Sequence, residues 1–207
     1  MLVVGLTGGI GMGKTAAAEH LARAGIPVSN ADACVHHLYE GEAVGLIEAA
    51  FPGVASEGRI DRKLLAQQVA GAPERLRQLE SIVHPLVVKA EIDFLLDQEK
   101  RGARLAVLEI PLLFETGADA RVDVSVVVTA PQAVQRERVM ARRGMTEEKF
   151  EALRARQMPD AERRARADYV VDSGTTLENM QVQLDRLIES LQNREGRVME
   201  RLRHQLL

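Results

Sequence analysis

The sequence predicts an α/β fold in which a parallel β-sheet is flanked by helices. Short aliphatic and β-branched runs alternate with segments of helical periodicity, and the runs are continuous rather than alternately apolar and polar. The runs cover residues 2–7, 26–29, 105–110, 122–129 and 169–171. Continuous apolar runs are typical of strands that are covered on both faces, as in a parallel sheet. With 207 residues, of which 46% are apolar, the chain can bury the core of one globular domain.

The first strand leads into a helix through a series of glycines. The run over residues 2–7 stops at Gly8, and a helical pattern over residues 16–24 ends at Gly25. Glycine commonly terminates helices because it adopts the left-handed conformation without strain. The run over residues 26–29 then predicts the second strand.

A long helical segment, residues 32–101, separates the second strand from the third. It contains an amphipathic helix over residues 42–51, which Pro52-Gly53 ends, and a polar loop follows through Gly58. A further helix is expected to begin near Asp61. The segment therefore predicts a helical insertion between two strands of the sheet.

Helices are also predicted in the rest of the chain. In a long helix over residues 73–98, Pro85 is expected to begin a new helix or to introduce a kink, since proline lacks the backbone donor. Residues 132–167 form a second helical insertion, between the last two strands, and a helix over residues 177–192 follows the last strand. The tail, residues 193–207, is interrupted near its start by glycine and then carries apolar residues at helical spacing: Val198, Leu202 and Leu206.

Composition excludes several function classes. Twenty-seven basic and 30 acidic residues give a net charge of −3, which argues against nucleic-acid binding by bulk charge. The single cysteine, Cys34, cannot form an intrachain disulfide and is interpreted as a small buried or half-buried residue. The amino terminus lacks the basic region of a secretory signal, and no apolar stretch approaches the roughly 20 residues that span a bilayer. We therefore expect a cytoplasmic protein that binds neither nucleic acid nor membrane.

The glycine-rich segment between the first strand and the first helix satisfies the pattern G-x-x-x-x-G-K-[ST]. Glycines allow successive backbone N–H groups to point at phosphate oxygens, and the following helix directs its positive end at the same charge. Lys14 can reach the β- and γ-phosphates of ATP, and the Thr15 hydroxyl can ligate Mg²⁺. The predicted ATP-binding residues are Gly8, Gly9, Ile10, Gly11, Met12, Gly13, Lys14, Thr15 and Ala16.

This motif, the P-loop, identifies a nucleotide site but not a reaction. The Asp-x-x-Gly and Asn-Lys-x-Asp patterns expected of a GTPase do not occur in the sequence, and the chain is short for an ATP-driven motor. A small kinase fits, because it needs a core, an acceptor-binding insertion and a lid. The division predicted is a single P-loop kinase domain, residues 1–192 (core 1–31, 102–131 and 168–192; insertion about 32–101; lid about 132–167), and a tail, residues 193–207.

Two acids are candidates for the chemistry. Asp32 follows the second strand, where a carboxylate could orient an acceptor hydroxyl and accept its proton. The alternative for Asp32 is an N-cap of the helix beginning near Ala33. Glu109 ends the third strand, where an acid could hold Mg²⁺ through water. The alternative for Glu109 is a helix cap or a solvated turn.

Basic residues are concentrated in the predicted lid. Residues 136–166 contain ten basic and six acidic side chains, a charge of +4, so the remainder of the chain carries −7. Arginines on a mobile helical pair can close over a triphosphate and stabilise the transferring phosphoryl group. Most of the ten are interpreted as members of solvated helix faces. Arg138 and Arg142, on one face, are the predicted catalytic lid arginines.

Several segments together resemble the dephospho-coenzyme A kinase family, over about residues 1 to 190. They are the opening Gly5-Leu6-Thr7-Gly8-Gly9-Ile10-Gly11-Met12-Gly13-Lys14-Thr15, Asn30-Ala31-Asp32, Gly58-Arg59-Ile60-Asp61-Arg62, His84-Pro85, Pro111-Leu112-Leu113-Phe114-Glu115, Arg156-Gln157-Met158 and Ala167-Asp168-Tyr169-Val170-Val171-Asp172. The resemblance implies transfer of the ATP γ-phosphate to the ribose 3′-hydroxyl of dephospho-coenzyme A, the last step of coenzyme A synthesis. It also implies that Asp32 is the base. The acceptor site would be lined by Arg62, His84, Leu112, Leu113, Phe114 and Glu115.

The chain departs from the pattern of this family at three positions. Asn30 replaces the first acid of an Asp-Ala-Asp motif, Met12 stands where the loop usually has Ser, and Glu109 stands where Asp is common. None of these changes removes Lys14, Thr15 or Asp32. Two other functions stay open from the sequence: a nucleoside or nucleotide kinase, and a non-catalytic module that binds ATP.

Overall fold

The computed structural model describes residues 1–206, which divide into two compact units. The first unit contains residues 1–29 and the chain from residue 95 onward, and the second contains residues 30–94. The strands are β1 (Leu2–Thr7), β2 (Val28–Asn30), β3 (Ala55–Ser56), β4 (Arg59–Ile60), β5 (Leu105–Glu109), β6 (Val124–Thr129) and β7 (Tyr169–Asp172). The helices are α1 (Lys14–Arg23), α2 (Ala31–Leu38), α3 (Val44–Ala50), α4 (Arg62–Val69), α5 (Pro73–Lys100), α6 (Gln132–Met140), α7 (Glu147–Ala155), α8 (Asp160–Arg166), α9 (Leu177–Leu191) and α10 (Val198–Leu206), with a 3₁₀ turn at Ala118–Arg121.

The first unit is built on a five-stranded parallel sheet in the order β2-β5-β1-β6-β7. β1 is central and runs parallel to β5 and to β6, with Val4 opposite both Val107 and Val124. Every residue of β1, β5 and β6 is buried, as the continuous apolar runs predict. The predicted fold class is therefore confirmed, although β2 and β6 each begin two residues later than expected.

The core of this unit lies between the sheet and helices α1 and α9. Helix α9 contributes four buried residues at helical spacing: Met180, Leu184, Leu187 and Leu191. These pack with Leu21 of α1 and with Leu6 and Val126 of the sheet. Because α1 belongs to this core, its N-terminal end has a fixed position beside the carboxyl end of β1.

The carboxyl-terminal tail forms a helix that packs on the first unit. Val198 and Met199 are buried, at 3% and 1% exposure, and α10 contacts β1. The Asp123 carboxylate holds the start of the helix. One oxygen accepts from the backbone N–H groups of Arg197 (2.6 Å) and Val198 (2.9 Å), and the other accepts from Val3 N (2.9 Å). An acid at the beginning of β6 thus joins the tail to the central strand.

The second unit has its own core. Ile47, Phe51 and Val54 are fully buried in it, between α3, α4 and the first half of α5. The polar loop expected through Gly58 is instead a short antiparallel hairpin, β3–β4, with Ser56 opposite Arg59. Glu57 and Gly58 have φ of 52° and 76°, as a two-residue hairpin turn requires. Two-residue strands carry too little periodicity to be predicted.

Helix α5 begins in the second unit and ends in the first. Pro85 lies inside it, and the helix continues past this residue to Lys100. Pro85 therefore does not begin a new helix. Among residues 1–206, no helix combines the length and the apolar character that crossing a membrane requires.

Candidate active site

The P-loop connects β1 to α1, the position that the sequence predicts. Gly11 and Gly13 have φ of +75° and +89°, in the left-handed region that favours glycine. A Cβ on Gly13 would lie 2.9 Å from the Ser173 hydroxyl, so this position also requires glycine for space. The glycines therefore allow a curled backbone that ends at the positive end of α1.

Lys14 and Glu109 are in direct contact beside this loop. The Lys14 ammonium donates to Glu109 Oε1, and the Glu109 side chain is 2% exposed. The pair forms because Glu109 ends β5 and is paired in register with Leu6 of β1, just before the loop. Glu109 is therefore neither in a solvated turn nor a helix cap. It is a buried carboxylate at the carboxyl end of the sheet, in contact with Lys14, and Thr15, the next residue of α1, is exposed.

A buried serine that directly follows the edge strand β7 supports the loop. Ser173 Oγ donates to Met12 O over 2.7 Å, and Ser173 N bonds Thr129 O. Arg138 of α6 in turn donates to Ser173, with Nη1 2.9 Å from Oγ and Nη2 2.7 Å from the carbonyl oxygen. Arg138 thus lies next to the P-loop, engaged with a residue that fixes its backbone.

Ile10 of the P-loop is held by two glutamines. Its N–H donates to Gln157 Oε1 (3.0 Å), and its carbonyl oxygen accepts from Gln135 Nε2 (2.8 Å). The Met12 side chain, 3% exposed, lies with its sulfur 3.1 Å from Ala130 N. The loop is therefore anchored on the side that faces the predicted lid.

The predicted lid consists of helices α6, α7 and α8, and most of its arginines lie on solvated faces as expected. Arg136 pairs with Glu147 at 2.6 Å, and this hydrogen bond, with the charge of Glu147, raises the pKa of Arg136. Arg142 is exposed. Arg163 differs from the others, since its side chain is 2% exposed. A cavity of about 630 Å³ lies between these helices and Met12, a volume in the range of small-molecule sites.

The turn after β5 contains the predicted acceptor residues 112–115. Leu113 and Phe114 are buried, at 0% and 6% exposure, while Leu112 is half-buried. The Arg166 guanidinium lies 5.5 Å from the centre of the Phe114 ring. Glu115 Oε1 accepts from Met158 N at 2.8 Å. The turn is thus joined to the segment between α7 and α8.

The remaining predicted site residues belong to the second unit. Asp32 is exposed in the first turn of α2. The N-cap of this helix is Asn30, whose Oδ1 accepts from Ala33 N over 2.8 Å. The interpretation of Asp32 as the cap is therefore wrong, and Asn30 at the family's first acid position has a structural role. Arg62 stacks over Tyr39 at 5.4 Å, and His84 is exposed on α5.

Sequence reasoning missed four residues that support the P-loop: Ser173, Gln135, Gln157 and Arg163. Of these, only Gln157 could have been found from the sequence, because it lies in the Arg156-Gln157-Met158 segment that resembles the family pattern. Arg163 could not be separated from its arginine neighbours, since burial and not residue type distinguishes it.

A parallel sheet, a P-loop with its lysine on a buried acid, and helices α6 to α8 beside the loop define a P-loop kinase. A family model for dephospho-CoA kinase matches residues 2–179. A dephospho-CoA kinase of Rhodopseudomonas palustris strain HaA2 is 52% identical over 190 residues, covering 92% of this chain and 96% of that protein. The chain therefore belongs to the dephospho-CoA kinase family.

Solved structures share this fold. The crystal structure of TT1252 from Thermus thermophilus superposes with a TM-score of 0.77 at 37% identity, over 92% of this chain and 97% of that one. Dephospho-CoA kinase from Campylobacter jejuni shares the fold, with a TM-score of 0.64 at 22% identity, over 91% of this chain and 96% of that one.

Proposed function

We propose that this protein transfers the γ-phosphoryl group of ATP to the ribose 3′-hydroxyl of dephospho-CoA, giving coenzyme A and ADP. The observation that carries the proposal is the contact between Lys14 and the buried Glu109, beside a glycine-stabilised P-loop, in a chain of this family. A loop that only turned the chain into α1 would need neither the lysine nor the buried acid.

The P-loop binds the triphosphate. Backbone N–H groups of the loop and the positive end of α1 stabilise the phosphate charge, apart from the N–H groups of Ile10 and Met12, which bond Gln157 and Gly9. The Lys14 ammonium adds a point charge that reaches the β- and γ-phosphates. Its pairing with Glu109 keeps this ammonium at the loop before ATP arrives, so little reorganisation is needed on binding.

The residues present fit a magnesium ion. Mg²⁺ prefers hard oxygen ligands, and Thr15 would offer one directly and Glu109 one through water. When bound with ATP, Mg²⁺ neutralises charge on the phosphate oxygens. The Glu109 carboxylate would offset the positive charge of Mg²⁺ and that of the Lys14 ammonium. This accounts for an acid at a site that binds polyanions.

Asp32 is the general base. The ribose 3′-oxygen attacks the γ-phosphorus, the bond from that phosphorus to the oxygen it shares with the β-phosphate breaks, and the hydroxyl proton passes to the Asp32 carboxylate. Because Asn30 caps α2, the Asp32 side chain is not used in capping.

The lid and the acceptor residues complete the proposal. Arg138 and Arg142 stabilise charge on the transferring group when the lid closes. The acceptor site is lined by Arg62, His84, Leu112, Leu113, Phe114 and Glu115. Of the turn residues, the buried Leu113 and Phe114 shape this site rather than bond the acceptor.

An acceptor panel tests the activity. ADP release is measured with dephospho-CoA, with nucleosides and with nucleoside monophosphates, at fixed ATP and Mg²⁺. We expect turnover with dephospho-CoA. Turnover with a nucleoside or its monophosphate alone would assign the chain to the nucleoside and nucleotide kinases. ATP binding without turnover of any acceptor would assign it to the non-catalytic modules.

Substitution of the base tests the mechanism. Asp32→Asn is expected to lower kcat by about 10²–10⁴-fold, the usual contribution of a general base, and to leave ATP affinity within about twofold. Asp93→Asn is the matched control, since Asp93 is an exposed acid of the same unit that pairs only with Lys89 among the described ion pairs. Full activity of Asp32→Asn would refute the role of base.

A further inference from the structure

We propose that Gln157, Arg163 and Glu115 form a clamp that positions the P-loop for ATP before the nucleotide binds. Gln157 is the residue of the clamp that touches the loop, and Arg163 and Glu115 are positioning residues that act through it. The inference rests on the proposed function in one respect, namely that ATP is the nucleotide.

Arg163 and Glu115 together hold Met158 at both of its backbone groups. Arg163 Nη2 donates to Met158 O over 2.7 Å, and Glu115 Oε1 accepts from Met158 N over 2.8 Å. The two side chains also pair with each other, with Nη2 3.5 Å from Oε1. Because both its N–H and its carbonyl oxygen are bonded, the backbone of Met158 is held in one conformation. The position of the neighbouring Gln157 is restricted as a result.

The clamp is anchored to the sheet through a third charged residue. Arg163 Nη1 lies 3.7 Å from Asp160 Oδ1, and Asp160 Oδ2 accepts from the hydroxyl of Thr129, the last residue of β6. Removing a guanidinium from water is costly, so a side chain that is 2% exposed needs such carboxylates around it. We infer from this cost that Arg163 is buried in order to hold its partners in place, whereas Arg136 lies on a solvated face.

The clamp acts on the P-loop at Ile10 and Gly9. Gln157 Oε1 accepts from Ile10 N (3.0 Å), while Gln135 Nε2 donates to Ile10 O (2.8 Å). A Cβ on Gly9 would lie only 3.1 Å from Arg163 Nη1. The glycine thus lets the loop backbone pack directly against the buried guanidinium, and Ile10, the next residue, is bonded through both its N–H and its carbonyl oxygen.

The functional consequence is that the P-loop has its phosphate-binding conformation before ATP binds. Without the clamp, ATP would have to order the loop as it binds, and that cost would appear as lost affinity. Once ATP is bound, its phosphates hold the loop themselves, and the chemical step proceeds as before. The clamp should therefore affect the Kd and KM for ATP and leave kcat nearly unchanged.

Gln157→Ala tests the clamp with little risk to folding, because Gln157 is only half-buried. The Kd for ATP is measured by titration calorimetry without acceptor, and KM and kcat by ADP release. We expect an affinity about tenfold weaker, the effect of one lost hydrogen bond and its pre-ordering, with kcat within about twofold. Gln192→Ala, at an exposed glutamine after α9, is the matched control and should bind ATP as the wild type does.

Arg163→Lys tests the positioning role. Lysine keeps the charge but cannot donate to Met158 O and contact two carboxylates with one planar group. In a double-mutant cycle, Gln157→Ala should add little to the loss of ATP affinity that Arg163→Lys causes, because both break the same link. Urea unfolding shows whether either variant is less stable than the wild type. If the losses of ATP affinity came only from instability, they would instead be additive in the double variant.

Two results would overturn the clamp: an ATP affinity of Gln157→Ala equal to that of Gln192→Ala, or a fall in kcat at unchanged affinity. The first of these results is measured without the acceptor. A wild-type protein that binds ATP but does not turn over dephospho-CoA would refute the proposed function and leave the clamp in place.

Discussion

Asp123→Ala should destabilise the protein by releasing α10 from β1. The carboxylate accepts three backbone N–H groups, from Val3, Arg197 and Val198. Those of Val3 and Val198 are partly buried, and a buried donor without an acceptor costs about 1–3 kcal/mol. The N–H of Arg197 can bond water instead. The loss of the carboxylate at the start of a helix adds about 0.3–1 kcal/mol. We expect the free energy of unfolding to fall by about 3 kcal/mol, or Tm by roughly 6–12 °C.

The chain has no Trp, so urea unfolding is followed by far-UV circular dichroism. Asp123→Asn keeps one acceptor oxygen and should lose about half as much stability, or about 1.5 kcal/mol. Arg203→Ala is the control within α10. It breaks only the exposed pair with Glu99 and should cost under about 1 kcal/mol. A stability of Asp123→Ala within about 0.5 kcal/mol of the wild type would refute the reasoning, since that is the range of unremarkable surface changes.

Three further predictions concern charge and the loop. Backbone hydrogen bonds from residues 53–55 hold the pKa of Glu48 below its usual range, so its stabilisation is present above the unfolded pKa and lost as pH falls through the folded one. Urea unfolding should therefore show Glu48→Gln less stable than the wild type near neutral pH, with a difference that shrinks in acid. Burial, and then the charge of Glu91, raise the pKa of Cys34. Glu91→Gln should lower that pKa, measured as faster alkylation of the thiol at mildly alkaline pH. Gly13→Ala places a Cβ at φ +89° against a buried hydroxyl and should weaken ATP binding at least tenfold while the fold is retained, as calorimetry and circular dichroism would show.

Local patterns predicted the sheet and the nucleotide loop because each is determined by nearby residues. Strands β1, β5 and β6 are short runs in which every residue is buried, and the P-loop lies within eight consecutive positions. Asp61 caps α4 with bonds to Lys63 N and Leu64 N, close to where the sequence expects a helix to begin. For Glu109 the sequence left open a magnesium ligand, a helix cap or a solvated turn. Its buried position in β5, in register with β1, excludes the cap and the turn, and the magnesium role stays a prediction.

Contacts between distant parts of the chain could not be predicted in this way. Ser173 and Met12 are 161 positions apart, and Gln157 and Ile10 are 147 positions apart. Each pair meets because β7 pairs with β6 at the edge of the sheet and the helices of the predicted lid pack beside the P-loop. That is a property of the topology and not of any one segment. The burial of Arg163 is of the same kind. Nothing in the spacing of the ten basic lid residues distinguishes the one that is enclosed.

Arg138 shows how such contacts change the interpretation of a residue. Its place on α6 predicted an arginine that closes over the triphosphate, and this catalytic role stays a prediction. The side chain already lies beside the loop, since the Cβ of a residue in place of Gly13 would be 3.7 Å from Nη1. Both of its bonds go to Ser173, which holds the Met12 carbonyl. One guanidinium can thus fix the loop backbone and contribute positive charge at the same edge. Lysine can supply the charge but cannot make both bonds in one plane, so the geometry calls for arginine here.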